Sequence, residues 1–297
     1  MNSPASRPEK WTSRKLLEWT TPYLARKGVD SPRLSAEMLL SHVLGTPRLK
    51  LYMDPDRPAT ELERAAFREL VERAARHEPV DYLVGHAPFF SMMLKVTPAV
   101  LIPRPSTETL VEHVIQHSRR TPGFLSPVIA DIGTGSGAIA ISLARHIPSS
   151  RVIAVDISPE ALAIAKENAA AQGVSDRIDF VQGDMLSALG AGLRFSYLVS
   201  NPPYIGDEEW AEVAPNVKDY EPHLALRGGV DGLRYLRQLI EHGPAFLQNP
   251  GQLVLEFSSS QKQAMLDLAR QNPALANAHI LADHEALPRI LVADKVG

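Results

Sequence analysis

Strand and helix patterns alternate from residue 127 onward, while the first quarter of the chain carries helical period with almost no strand-like alternation. Together they predict an α/β protein: a doubly wound, mostly parallel sheet preceded by a small N-terminal helical bundle. A third observation supports this. The glycine-rich run Gly133 to Gly137 falls where the first strand of the alternation turns into its first helix.

From Trp11 to about His77 the apolar residues form three amphipathic stripes: Leu16, Leu17, Trp19 and Leu24; Ala36, Leu39, Leu40 and Val43; Leu62, Ala66, Phe67, Leu70 and Val71. Ser31-Pro32 sets a cap before a first-turn proline, and Gly45-Thr46-Pro47 and Pro55 to Pro58 punctuate the helix ends. A helical bundle is therefore expected over residues 1–84, followed by a connector over 85–108. Within the connector, Phe89 to Val96 reads as a hairpin or extended segment, and Pro103-Arg104-Pro105 forces an extended chain before a helix over Glu108 to Arg119.

The sheet domain is expected over residues 109–297. Strands are predicted at Pro127 to Ile132, Arg151 to Asp156, Ile178 to Asp184, Phe195 to Ser200 and Gly251 to Phe257. Helices are predicted at Gly137 to His146, Pro159 to Gln172 and Asp231 to Leu247. Two late runs, His279 to Ala282 and Arg289 to Ala293, are expected to close a seven-stranded sheet as an antiparallel hairpin.

Composition narrows the function classes. With 44% hydrophobic residues in 297, a substantial core can form, and 31 basic against 34 acidic residues leave a net charge of -3. Such a balance does not suggest a phosphate-tracking surface, so no direct nucleic-acid partner is expected. The absence of cysteine excludes disulfides, thiolate zinc sites and cysteine nucleophiles. Met1 to Pro8 lacks the apolar core of a signal peptide, and no apolar run approaches the roughly 18 residues of a membrane span. A cytoplasmic protein with no membrane partner is expected. His77 and His86 have no partners at metal-ligand spacing, and no metal is expected. Arg64, Arg68, Arg73 and Arg76 interleave with Glu61, Glu63, Glu69 and Glu72, the pattern of an ion-paired solvated face.

Asp131-Ile132-Gly133-Thr134-Gly135-Ser136-Gly137 is the first candidate binding element. Glycines at a strand-to-helix turn permit positive φ and bring backbone N–H groups close to a ligand. Gly133, Gly135 and Ala138 also satisfy the dinucleotide pattern, with Asp156 placed for a ribose, so a nicotinamide cofactor is one reading. Three acid-tipped strands favour S-adenosylmethionine instead. Asp131 can accept from a methionyl ammonium, Asp156 can accept both ribose hydroxyls, and Asp184 can accept from an adenine amino group while Met185 packs on the ring. The competing reading of each Asp is a helix cap or turn former, and of Met185 a core filler.

A fourth strand end, Asn201-Pro202-Pro203-Tyr204, carries the chemistry. Neither proline can extend a ladder, which leaves carbonyls beside an amide side chain and an aromatic ring. If the Asn201 side-chain carbonyl and the Pro202 backbone carbonyl each accept one N–H of a planar NH₂ group, its nitrogen lone pair is freed to attack a sulfonium methyl. Tyr204 can stack on that group and fix its orientation. Positioning can supply roughly 7 to 11 kcal/mol of such a reaction.

With these residues in place, the chain resembles the HemK/PrmC family of class I, S-adenosylmethionine-dependent methyltransferases, which methylates a glutamine side chain of peptide-chain release factors. The resemblance spans nearly the whole chain and includes Val100 to Glu108, Tyr220-Glu221-Pro222 and Gly228 to Leu233. It implies a Rossmann-like fold and cofactor contacts from Gly133, Thr134, Gly135, Ser136, Gly137, Asp156, Met185 and Asn201. It implies a substrate glutamine held by Asn201 to Tyr204, with class I release factors as the protein partner; a monomer is expected. The sequence departs from the family pattern at Ser106, where an acid is usual, at Ser258, where a glycine is usual, and at Gly85 to Phe89. Arg104 is read either as a contact to a substrate carbonyl or as a solvated linker residue. A glutamine methyltransferase of a large-subunit ribosomal protein, an adenine or guanine amino-group methyltransferase, and a cofactor-binding protein without catalysis stay open as alternatives.

Overall fold

The computed structural model describes residues 10–296; the Met1 to Pro8 stretch read above for a leader lies outside the described residues. The chain divides into two compact units, Met1–Gly85 with Pro215–Tyr220, and His86–Ala214 with Glu221–Gly297.

The first unit holds α1 (Ser13–Arg26), α2 (Pro32–Leu44), α3 (Arg48–Met53), α4 (Glu61–Ala74) and α5 (Val80–Val84). One short helix from far along the chain, α9 (Pro215–Lys218), joins them, and Tyr220 Oη donates to the Arg76 carbonyl at 2.8 Å. Helix α4 starts on a capping box: Thr60 Oγ1 accepts from Glu63 N at 3.2 Å and Glu63 Oε2 accepts from Thr60 N at 2.8 Å. The Arg57 guanidinium on the same carboxylate helps hold the Glu63 carboxyl down to about 2. Leu16, Leu17, Leu24, Ala36, Leu39, Leu40, Phe67 and Val71 form the core, joined by Leu51 from α3 and by Leu83 and Val84 from α5.

Three residues of the predicted stripes are solvent-exposed instead. Leu62 is 83% exposed, and Ala66 lies beside it one turn on, because the buried row of this helix is Phe67, Val71 and Ala74, with Leu70 packed at its margin. Trp19, 55% exposed, stacks on Tyr23 with ring centroids 5.2 Å apart. Ser31 does not cap α2 through its side chain: it adopts φ 45, and Ser35 Oγ donates to the Asp30 carbonyl across the same turn. On the basic face of α4, Arg64 pairs with Glu61, and Arg73 pairs with Glu78 beyond the helix end.

The second unit begins with the hairpin β1 (His86–Phe89) and β2 (Met92–Lys95) and the helix α6 (Pro105–Arg120). Then come β3 (Val128–Ile132), α7 (Ala138–His146), β4 (Arg151–Asp156), α8 (Pro159–Ala171), β5 (Ile178–Gln182) and β6 (Phe195–Ser200). After the loop that follows β6 come α10 (Arg234–His242), β7 (Leu247–Glu256), α11 (Lys262–Gln271), β8 (Leu275–Ala282) and β9 (Pro288–Lys295). The predicted seven-stranded sheet is present, in the order β5-β4-β3-β6-β7-β9-β8; β9 alone runs antiparallel, to both β7 and β8, and the other six strands share one direction.

Alternation along the strands builds a core on each face. Ile129, Tyr197, Val199 and Val254 pack with α6 and α7 on one side; Ala130, Ile132, Leu198, Leu253 and Leu255 pack with α10 and α11 on the other. Strand β5 ends at Gln182 rather than Asp184, because the chain turns at Gly183 into a 3-10 turn, Met185–Ala188. Helix α10 starts at Arg234 rather than Asp231, because Gly228 to Gly232 is a tight loop in which a Cβ on Gly228 would stand 2.5 Å from the Gly232 carbonyl oxygen. The strand order reverses at β3, between β4 and β6, which opens a crevice at the carboxyl edge.

Candidate active site

An open cleft of about 880 Å³, solvent at its mouth included, occupies that switch point. It is lined by Gly133 and Gly135 beyond β3, Asp156 at the end of β4, Gly183, Asp184 and Met185 beyond β5, and Asn201 and Pro203 beyond β6. Four successive parallel strands thus deliver their terminal residues to one cavity, the arrangement that the acid-tipped strand ends predict.

The glycine loop is shaped to leave room. Gly133 (φ 74) and Gly135 (φ 56) have left-handed backbones, and a Cβ on either would meet nothing within 4 Å. Gly135 N donates to Asp156 Oδ2 at 2.8 Å, and Ser158 N donates to Asp156 Oδ1 at 3.0 Å, which fixes the carboxylate at the rim. Burial pushes the Asp156 carboxyl up against those two donors. Met185 lines the cleft with φ 49, uncommon for a residue with a Cβ.

Asp131 lies behind the loop, fully buried. Its Oδ2 accepts from Thr134 Oγ1 at 2.6 Å and from Ala140 N at 3.1 Å, while Oδ1 has no partner among the described residues. Burial pushes its carboxyl up to about 7. A buried carboxylate oxygen with no donor calls for a cation or a hydrogen-bond donor from elsewhere. Together with the open space over Gly133 and Gly135 and the rim carboxylate of Asp156, this orphan oxygen fits an amino-acid-bearing nucleoside such as S-adenosylmethionine.

Asn201 is held from behind. Its Nδ2 donates to Thr107 Oγ1 at 3.0 Å, while no donor reaches its Oδ1 or the Pro202 carbonyl among the described residues. Thr107 Oγ1 donates in turn to Glu256 Oε2 at 2.6 Å, and Ser106 Oγ donates to Glu256 Oε1 at 2.8 Å. The loop after Asn201 is tied down at several points: Ile205 N donates to the Leu226 carbonyl at 2.9 Å, Gly228 N to the Ile205 carbonyl at 2.8 Å, and Gln261 Nε2 to the Tyr204 carbonyl at 3.0 Å. Burial pushes the Tyr204 hydroxyl up, with the Glu256 carboxylate adding to the shift.

The predicted site residues thus fall into two groups. Gly133, Gly135, Asp156, Asp184, Met185, Asn201 and Pro203 line the cleft. Asp131, Thr134, Ser136, Gly137, Pro202 and Tyr204 do not line it and stand behind or beside those that do. Ser136 is buried, and its carbonyl accepts from Asn168 Nδ2 at 2.9 Å; Gly137 heads α7. Asp184 precedes the 3-10 turn without capping it through its side chain. Arg104 is no free linker: its guanidinium pairs with Glu221, whose other oxygen accepts from Ile102 N at 3.1 Å.

Sequence reasoning missed Thr107, Glu256, Gln261 and Asn168. A signal existed for Glu256, a carboxylate inside the apolar run Leu253 to Phe257; Gln261 and Asn168 sit in ordinary helical contexts and gave none. It also missed the apolar lining from Val100, Leu101, Ile157, Leu224 and Tyr235. Among the described residues no group of His, Asp and Glu is arranged to hold a metal, and no helix is long and apolar enough to cross a membrane.

Comparison with known proteins adds an independent line. Residues 15–85 match the PrmC N-terminal domain family and residues 129–220 a methyltransferase domain family. The chain is 42% identical over 286 residues to a release factor glutamine methyltransferase of Rhodopirellula baltica, covering 96% of this chain and 97% of that protein. It is also 42% identical over 262 residues to a release factor glutamine methyltransferase of Geobacter sulfurreducens, covering 88% and 89%. Among solved structures, a methyltransferase from Pyrococcus furiosus shares the fold at a TM-score of 0.51 and 16% identity, covering 69% of this chain and 90% of its own.

Proposed function

The chain belongs to the release factor glutamine methyltransferase family, and from that premise we propose the reaction its cleft performs: transfer of a methyl group from S-adenosylmethionine to the side-chain amide nitrogen, N5, of the glutamine in the Gly-Gly-Gln loop of class I peptide-chain release factors. The observation that carries this reading is Asn201. Its amide N–H₂ is engaged by Thr107 behind it, so its Oδ1 is the free acceptor beside a cleft built at the strand ends.

S-adenosylmethionine, when bound, supplies an electrophilic sulfonium methyl. Asp131 Oδ1 would accept from its ammonium, Asp156 from its ribose hydroxyls and Asp184 from its adenine amino group. Gly133 and Gly135, with open space where a Cβ would stand, would let it approach the backbone, and Met185 would pack against the ring.

On the substrate side, Asn201 Oδ1 and the Pro202 carbonyl accept the two N–H bonds of the glutamine amide. That geometry pulls the nitrogen out of conjugation with its own carbonyl and exposes the lone pair. Pro203 and Tyr204 hold the amide plane. No strong base is needed before attack, because the proton on N5 becomes acidic once the new N–C bond forms, with S-adenosylhomocysteine as the leaving group that keeps the S–CH₃ electron pair, and the proton then passes to water. Hydrogen bonds that strengthen as charge develops contribute roughly 3 to 4 kcal/mol each, by analogy with oxyanion-hole donors. The helical unit would help to dock the protein substrate.

A labelled-methyl assay tests this. Purified release factor is offered beside a variant with the loop glutamine changed to alanine, a ribosomal protein fraction and DNA. Label is expected on the wild-type release factor alone, and Asn201→Ala is expected to keep donor affinity while turnover falls by roughly 10²-fold or more. Label on the alanine variant or on DNA overturns the assignment.

A further inference from the structure

We propose that Glu256, acting through Thr107, is the positioning residue that sets which end of the Asn201 amide faces the substrate. The inference rests on the role given above to Asn201 and concerns how that role is enforced.

Three side chains from distant parts of the second unit form one directed chain: Glu256 at the end of β7, Thr107 in the first turn of α6 and Asn201 beyond β6. An ionised carboxylate only accepts hydrogen bonds, so Glu256 Oε2, 2.6 Å from Thr107 Oγ1, takes the hydroxyl's one proton. Thr107 Oγ1 is then left with lone pairs alone and can only accept from Asn201, which must present Nδ2 to it, as found at 3.0 Å. The consequence is that Oδ1 points away from Thr107, free to accept a substrate N–H. A neutral Glu256 can donate to Thr107 instead. Thr107 can then donate to Asn201 Oδ1, and the reversed amide presents two donors to a substrate that needs an acceptor.

Hydroxyl donors and nearby cations favour the carboxylate form at a position with no solvent contact. Glu256 is 0% exposed. Ser106 Oγ donates to its second oxygen at 2.8 Å, and Arg289 from β9 and Arg104 from the connector add favourable charge, while Tyr204 is the remaining titratable group close by. Burial pushes the Glu256 carboxyl up, and the two hydroxyls and two guanidinium groups offset only part of that shift. Ser106 thus supplies a neutral donor to Glu256 and adds no charge of its own.

The test uses the full chain with saturating donor and release factor, and compares Thr107→Val, Thr107→Ser and Glu256→Gln. Thr107→Val is expected to lower kcat by about 10-fold to 10²-fold, as misorientation at a reacting group does, with donor affinity retained. Thr107→Ser, which keeps the hydroxyl, is expected to recover most of that loss. In the wild type kcat should fall as pH drops through the Glu256 pKa, and this acid limb should vanish in Glu256→Gln. The Asn201 side-chain N–H₂ resonances give a readout that needs no substrate: slow hydrogen exchange in wild type and Thr107→Ser, fast exchange in Thr107→Val. Wild-type turnover in Thr107→Val, an unchanged acid limb in Glu256→Gln, or equal exchange in all variants overturns the proposal. If Glu256→Gln does not fold, the two Thr107 variants decide. Slow exchange in a wild type that leaves release factor unlabelled sinks the substrate assignment and leaves the orientation supported.

Discussion

Gln261 holds the backbone of Tyr204. Its Nε2 donates to the Tyr204 carbonyl at 3.0 Å and to the Asp231 carbonyl at 3.4 Å, while its Oε1 accepts from Ser258 N at 3.1 Å. Gly232 makes room for this: a Cβ there would stand 2.2 Å from the Tyr204 carbonyl oxygen and 2.5 Å from Gln261 Nε2. The Asn-Pro-Pro-Tyr loop is therefore clamped by a side chain that touches none of the cleft.

Removing that clamp should loosen the loop without altering its chemistry. Gln261→Ala leaves two carbonyls without this donor, and each unsatisfied group costs about 1 to 3 kcal/mol if water does not reach it. Thermal denaturation is expected to show a lower midpoint, and steady-state assays a lower kcat at nearly unchanged donor affinity. A variant that matches the wild type in both would show that the loop is held by its other hydrogen bonds alone.

Asp131 gives a pH dependence with a definite sign. Burial raises its carboxyl from an ordinary 3.8 to about 7, so between those values the folded chain holds a proton that the unfolded chain has released. Its contribution to stability is present below the lower value and is lost as pH rises through about 7. Denaturant unfolding between pH 5 and pH 8 should show this loss in the wild type and a smaller one in Asp131→Asn, where nothing titrates at that position. A cation on Oδ1 works in the opposite direction, so S-adenosylmethionine binding near pH 7 should release a proton, measurable by calorimetry in buffers of different ionisation heat. An identical pH slope in Asp131→Asn would remove the basis for both expectations.

The parts of the fold that were legible are those written in local pattern. Strands β4 and β6 span the predicted residues, because Val152, Ala154 and Val155 and the fully buried run Phe195 to Ser200 are apolar stretches with a polar or proline boundary. Gly133, Gly135, Asp156 and Asn201 were legible because glycine and proline announce a change of backbone and each follows such a strand. What was not legible lies in pairs remote along the chain. Asn201 meets Thr107 across 94 positions and Thr107 meets Glu256 across 149, and no periodicity encodes either contact. The grouping of Pro215–Tyr220 with the first unit is of the same kind, with Tyr220 meeting the Arg76 carbonyl across 144 positions. Trp19 and Leu62 show the converse error, in which an apolar residue at helical spacing faces water because the buried row is narrower than the apolar stripe.

Two glycines of one loop should fail in different ways, which separates folding from binding. Gly137 heads α7 with φ 82, and a Cβ there would stand 2.8 Å from Ile141 Cδ1 and 3.2 Å from Ala165 Cβ, so Gly137→Ala must turn the Ile141 side chain aside and crowd Ala165 of α8, as well as bear the left-handed backbone. Gly135 has φ 56 and open space where its Cβ would go, but that space is the cleft. Left-handed backbone costs roughly 1 to 2 kcal/mol in either variant, and only Gly137→Ala adds a steric clash. Thermal denaturation should therefore rank Gly137→Ala well below Gly135→Ala. Titration with S-adenosylmethionine should show lost affinity in Gly135→Ala, even at temperatures where that variant is fully folded. Wild-type affinity in folded Gly135→Ala would mean that the donor does not lie over the glycine loop, and the cofactor assignments to Gly133 and Gly135 would fall with it.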